Sequence, residues 1–289
     1  MRKALSHGVW VALVCGAWAG AETLDEAVDR LAKAAAETRD VKIQYAVQGV
    51  QPAESAGALK AGKRNVAGTG EFLMLREGDK CLQRLATNLT IEAPGQGEKA
   101  PPAKSQRNTL SVNDGQTLWL EDSKQPGNEP VQVQKQRVPA RSGLRLRGSL
   151  TAIDSPFTTT GLKAEMKEMA QRLDLKLVGK GTVAGRPTTT LEFAVKPERM
   201  ENWGEGRRAA ALARSLIEMD DATGAALALR DFNGAGELLR SLTATDVKVN
   251  SGLDKKLFAY TPPEGVKVTD LNVPPPEPSK PPDKSPKAP

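Results

Sequence analysis

The spacing of apolar positions changes twice along the chain. Thr23 and Glu26 stand three residues apart as a capping box, in which each side chain satisfies a free amide at a helix start. Leu24, Val28, Leu31 and Ala35 then recur at helical intervals, with Asp25, Asp29, Arg30 and Lys33 on other faces, which predicts one amphipathic helix over residues 22–38. At Val41 the period drops to two. Val41, Ile43, Tyr45 and Val47 alternate with Lys42, Gln44, Ala46 and Gln48, the pattern of a strand with one apolar face.

Strand patterns dominate from there. Residues 68–76, 80–91, 109–122 and VQVQKQRV read as strands, with Asp114-Gly115 as a hairpin turn. Residues 51–64, 93–107 and 124–130 are rich in Ala, Gly, Pro and Lys and read as loops, the second as a polar insertion that cannot form a core. A second helix is expected after Ser155-Pro156, with Leu162, Met166, Met169 and Leu173 on one stripe. Strands resume at 175–177 and at TTTLEFAV, followed by a hairpin over 215–232 turning at 221–224, then VKVN and KLFAYTPPEGVKV. Strands with one apolar face can curl that face inward into a concavity. The fold class expected is mainly β with helices (α+β), in one domain over residues 22–273.

The two ends differ from this body. Arg2 and Lys3 precede an apolar run from Val9 to about Trp18 that closes on Ala19-Gly20-Ala21, the arrangement of a cleaved export signal. The run is shorter than the ~20 residues that span a bilayer. Cys15 follows Val14 rather than a small residue, so a lipidated cysteine is not expected there. The mature chain is expected to start at Glu22 and to be exported as a soluble protein. Residues 274–289 are half proline with interspersed lysine, without the apolar side chains that would offset chain entropy, and are expected to form an extended tail.

Export changes the available chemistry. His7 is the sole histidine and Cys15 one of two cysteines, and both leave with the signal. The mature chain keeps only Cys81, so no Ser-His or Cys-His pair, no histidine metal site and no internal disulfide can form. Neither metal nor cofactor is expected. Asp and Glu leave a carboxylate hydrolase formally open, yet no motif marks one, and the expectation is a binding protein rather than an enzyme. The formal charge of +6 fits a dispersed solvated surface or contact with anionic lipid. An aromatic content of 4% argues against nucleic acid, which is gripped by aromatic platforms beside cations.

Three stretches, in order, resemble the LolA-like carriers of outer-membrane lipoproteins. SVNDGQTLWLED (111–122) is similar to that family's SDG-x-TLW hairpin. LVGKGTVAGRPTTTLEFAVKP (177–197) is similar to a hairpin of related lipoprotein-sorting proteins, and LFAYTPPEGVKVTD (257–270) to the closing strand. The resemblance implies a strongly curved antiparallel sheet, an unclosed half-barrel, under a helical lid. It implies acyl chains of a lipoprotein or another lipid as ligand, and, for a carrier, an inner-membrane releasing transporter and an outer-membrane acceptor as partners of a monomer. A sensor that uses the same lipid-binding fold is the alternative.

On that resemblance, Leu73, Leu75, Leu118, Trp119, Leu191, Phe193, Leu227, Leu229 and Phe258 are candidate lining residues of the sheet, and Met166 and Met169 of the lid. Plain core packing is the simpler reading of each strand residue, because alternation alone does not say what a strand's apolar face meets, and it is the other reading of the helix stripe. GTGEFLMLRE (68–77) aligns with the family's second strand, whose terminal arginine hydrogen-bonds the lid. Arg76 is its counterpart, with Glu77 where the family has proline. An ordinary strand-end arginine is the other reading of Arg76.

Overall fold

The computed structural model describes residues 22–51, 64–93, 102–125, 131–137, 161–171, 173–200 and 211–272. The export signal through residue 21, the greater part of the inserts (52–63, 94–101 and 126–130) and the proline-rich tail lie outside these residues.

Helix α1 spans Leu24–Glu37, and both halves of the Thr23/Glu26 capping box are made. Strands β1 (Asp40–Gln51), β2 (Arg64–Glu77), β3 (Lys80–Ala93), β4 (Ala103–Asn113), β5 (Thr117–Gln125) and β6 (Gln132–Arg137) follow as a meander. Helix α2 (Leu162–Ala170) leads into β7 (Leu173–Val183) and β8 (Arg186–Val195), then a helical turn at Pro197–Met200. Strands β9 (Leu212–Asp220), β10 (Ala226–Asn233), β11 (Leu238–Val249) and the short β12 (Val268–Asp270) complete the chain. The twelve strands form one sheet in the order β12-β6-β5-β4-β3-β2-β1-β11-β10-β9-β8-β7, so it is not closed. Every pairing is antiparallel except the parallel β12–β6 edge.

Side-chain reach measures the curl. The Tyr45 hydroxyl on β1 donates to the Ala226 carbonyl at the start of β10, 2.6 Å away and two strands along. Val183 of β7 shares a core with Phe72 and Leu85 of β2 and β3, far from it in strand order. A sheet that brings these side chains into one core is strongly curved. Gly68 sits where the roll is tight, since a Cβ there would lie 2.0 Å from the Asn88 carbonyl oxygen.

The roll gives the sheet an inner and an outer face. The inner face carries Val41, Ile43, Tyr45, Phe72, Met74 and Leu242, and passes without a break under the helices. On the outer face the segment after β11 runs back across β2–β5. A 3-10 turn at Lys255–Phe258, capped by Asp254, buries Phe258 against Leu73, Leu75 and Leu82. Tyr260 stacks at 5.4 Å from Trp119 and donates to Glu121 at 2.6 Å.

Two expectations from sequence are corrected here. KLFAYTPPEGVKV is not a continuous strand, because its apolar Phe258 and Tyr260 pack on the back of the sheet instead of pairing along an edge, and only Val268–Asp270 enters the ladder. Residues 103–107 are not insertion but the start of β4, paired residue for residue with β3 from Ala93 to Leu89. Their polar side chains gave no apolar signal. They are held by the backbone ladder and by ion pairs such as Lys104–Glu92 at 2.7 Å.

Candidate functional site

The inner face beneath the helices is built from α1, α2 and β7–β9. Val28 and Leu31 of α1 and Leu162, Met166 and Met169 of α2 bury against Leu173, Leu191, Phe193 and Met219. Four of the sequence candidates (Met166, Met169, Leu191 and Phe193) are thereby brought together in one helix–sheet interface. Leu227 and Leu229 lie next to it on β10, in the core shared with Tyr45 and Leu242. Leu118 is half-buried on the inner face at the start of β5, in line with Asn113, Gln83 and Met74 of the neighbouring strands.

The remaining candidates are elsewhere. Leu73, Leu75 and Phe258 form an outer-face cluster, and Trp119 is on that same side beside Tyr260. The concavity expected to take these four does not contain them. The physical reason is the run Phe72-Leu73-Met74-Leu75, which is apolar at every position. Phe72 and Met74 take the inner face and Leu73 and Leu75 the outer, and both faces are covered.

Arg76 ends β2 on the inner side, under the last turn of α1. Its Nη2 donates to the Ala35 carbonyl at 3.0 Å and its Nε reaches the Thr38 carbonyl at 3.4 Å. The backbone amide of Arg76 donates to the Arg39 carbonyl at 2.8 Å. The last turn of α1 has no basic residue of its own, so Arg76 brings the cation that a helix C-terminus favours.

A second polar pin holds the middle of α1 and the residue that precedes it, and no local motif announced it. Arg30 donates to Glu22 at 2.8 Å, to Asp221 at 2.9 Å and to the Thr189 hydroxyl at 2.8 Å. Lys180 joins at 2.9 Å from Glu22 and 2.8 Å from Thr189, while Thr189 donates to Asp221 at 2.5 Å. The members come from α1, β7, β8 and the β9–β10 turn. Only long-range information could have assembled them from sequence. The same turn presses on α1 at Gly224, whose φ is +65° and whose Cβ would lie 2.5 Å from the Leu31 carbonyl oxygen. No other residue fits there without moving the helix.

The pin has an electrostatic signature. Hydrogen bonds from Arg30 and then Lys180 lower the Glu22 carboxyl to about 2 from its ordinary 4.5. Burial opposes charge on Asp221, yet hydrogen bonds from Thr189 and Arg30 hold its carboxyl below the usual range. A carboxyl depressed on folding contributes stability above its unfolded pKa and loses it as pH falls through the folded value. The stabilisation from Glu22 is therefore complete above about pH 5 and disappears toward pH 2. Glu22→Gln is expected to make the decline of the urea midpoint between pH 5 and pH 2 shallower than in the wild type. High salt should shrink the difference, because the pin is partly open to solvent. Identical acid limbs would remove Glu22 from the account.

Beyond the helices, the inner face changes character. Over β3–β6 it carries Thr87, Thr109, Ser111, Gln132 and Gln134 above Leu85 and Leu120, with Arg107 bound through two nitrogens to Asp122 at 2.9 and 2.5 Å. Thr87 and Thr109 hydrogen-bond each other at 2.6 Å. A groove of about 140 Å3 opens there.

An unclosed, rolled antiparallel sheet with helices seated on its inner face is the architecture that the three sequence motifs imply. The expected half-barrel under a helical lid is present. No protein-family model matches the chain, and no curated protein matches it in sequence. Among solved structures the chain is similar to the Pseudomonas aeruginosa MucA/MucB complex, at 16% identity and a TM-score of 0.41 over 82% of this chain and 60% of that one. It thus spans about three fifths of that neighbour. A conserved protein from Thermus thermophilus matches at 12% identity and a TM-score of 0.42, over 85% of this chain and 98% of that one. A LolA superfamily protein from Nitrosomonas europaea matches at 10% identity and a TM-score of 0.26, over 83% of this chain and 99% of that one.

Proposed function

We propose that the protein is a non-enzymatic periplasmic carrier that takes acyl chains of lipoproteins or other acylated cargo between the sheet and its helical lid. One observation carries this reading: α1 and α2 meet β7–β9 through a shared Leu/Met/Phe interface, while the polar fastenings of α1 are few, Arg76 at its last turn and Arg30 in its middle, bonded to Glu22 and Asp221. An apolar interface held by a few polar bonds is one that an apolar ligand can enter. Methionine side chains repack around partners of varied shape at small cost, which suits Met166, Met169 and Met219 to a variable chain.

The magnitudes are adequate. At ~0.8 kcal/mol per buried methylene, a sixteen-carbon chain offers roughly 12 kcal/mol gross, before ordering costs. Pockets for small molecules generally occupy ~300–1,000 Å3, well above the groove of about 140 Å3 beside β4–β6. In this reading an acyl chain enters as the helices part from β7–β9, and Arg76 and the Glu22–Arg30–Asp221 cluster set the cost of parting. In a carrier cycle, a releasing transporter at the inner membrane would load the protein and an acceptor at the outer membrane would unload it.

Organic-solvent extraction of protein purified from the periplasm, followed by mass spectrometry, tests the reading. Acyl lipid or acylated peptide at near-stoichiometric amount is expected. Protein that is lipid-free on extraction and that also fails to bind a fluorescent acyl probe would contradict it.

A further inference from the structure

The inner face is divided into two chemically distinct halves. Under α1 and α2 it is apolar, whereas over β3–β6 the groove is lined by neutral hydrogen-bonding groups beside Glu121 and the Arg107–Asp122 ion pair, and α2 packs with Val28 and Leu31 of α1 on β7–β9. We propose that the β3–β6 groove seats a short, extended, uncharged peptide segment adjoining the acylated end of the cargo. The proposal rests on the acyl-carrier reading and adds a second part to the ligand.

Three features select this chemistry. Arg107 is the cation of the groove, and its guanidinium already meets both oxygens of Asp122, so its charge is balanced and a phosphate finds no counterion waiting. Among the described residues, the side chains of Ser111, Gln132 and Gln134 have no hydrogen-bond partner, which leaves amide and hydroxyl groups ready for a ligand. Finally, the glutamines of β6 recur at every second residue. Gln132, Gln134 and Gln136 share the inner face, as their pairing with Asp122, Leu120 and Leu118 shows. A two-residue step along a strand is ~7 Å. An extended peptide lying along β6 presents its own amide groups at that same interval, so successive glutamines meet successive backbone groups. Leu85 and Leu120 form the floor, suited to small side chains. The groove offers no aromatic ring on which a sugar could stack.

Competition against a fluorescent acyl probe tests the idea on the full-length mature protein. The competitors are dodecanamide, a dodecanoyl tetrapeptide amide made of serine and asparagine, the same peptide with two aspartates, and dodecanoyl-glucamine. Two or three net hydrogen bonds are worth roughly a tenfold gain. The neutral acyl-peptide is therefore expected to displace the probe at about one tenth the concentration of dodecanamide. In the Gln132→Ala/Gln134→Ala variant that preference should vanish, with dodecanamide unaffected. Neither side chain is buried, so the variant should melt with the wild type. Equal displacement by dodecanamide and acyl-peptide would overturn the groove assignment and leave the acyl reading standing. So would a better result for the glucamine or the aspartate peptide, or a preference that survives in the variant. Failure of every competitor together with the probe would overturn both.

Discussion

Arg76→Leu is expected to raise the open fraction of the lid by roughly five- to more than a hundredfold while the protein still unfolds close to the wild-type temperature. The substitution removes the Nη2 bond to Ala35 and the longer Nε contact to Thr38, and with them the cation that faces the C-terminus of α1. Charge-assisted hydrogen bonds of this kind contribute ~1–3 kcal/mol, and ~1.4 kcal/mol is a tenfold change in an equilibrium. The sheet keeps its own ladder, including the Arg76 amide bond to Arg39. The measurement is association of a fluorescent acyl probe alongside thermal unfolding. Faster or tighter probe uptake at nearly constant stability assigns Arg76 to the lid equilibrium. A large stability loss would make it a structural residue, and no change in either would leave it an ordinary strand-end arginine.

Arg240→Met is expected to destabilise the fold by ~3–5 kcal/mol, with the opposite balance of effects. Asp231 is 3% exposed and Arg240 8%. Arg240 Nε donates to Asp231 at 2.8 Å, and Ser215 donates to the other carboxylate oxygen at 2.6 Å. Breaking a buried pair from one side strands the remaining charge away from water, which is the source of the cost. The double variant Asp231→Leu/Arg240→Met should recover most of the loss, because desolvation of both ions disappears together. Urea unfolding of the two variants checks this. A double variant no more stable than the single one would mean that the pair contributes favourable energy beyond its own burial.

The sequence was most legible where the signal is local. The α1 start follows from Thr23 and Glu26, and its buried face from Val28, Leu31 and Ala35. The β4–β5 hairpin follows from Asp114-Gly115, where Gly115 adopts φ +87° and Asp114 accepts from the amides of Gln116 and Thr117. Legibility failed where one pattern serves two structures. The alternation of Phe258 and Tyr260 is real, but it serves packing on the outer face rather than a place in the ladder. The apolar run Phe72–Leu75 has no polar member to say which way is in. The pin joining Glu22, Arg30, Lys180, Thr189 and Asp221 is made across distant segments, and the polar groove arises from cross-strand register. Neither leaves a mark on any single stretch of chain.

The position of β1 in the sheet has a consequence for synthesis. Strands β1–β6 pair as a meander of near neighbours, whereas the other edge of β1 pairs with β11, Val41 opposite Val249. A chain emerging from its N-terminus can complete the meander early, yet β1 then carries a full row of unsatisfied amides and carbonyls. Helix α1 waits equally, since β7–β9 are not yet made. Contacts of such long separation form late and slowly. The interval between the appearance of Gln51 and that of Leu238 is therefore the time at which the half-made sheet is most open to pairing with other chains, and at which a holding chaperone would have most effect on yield.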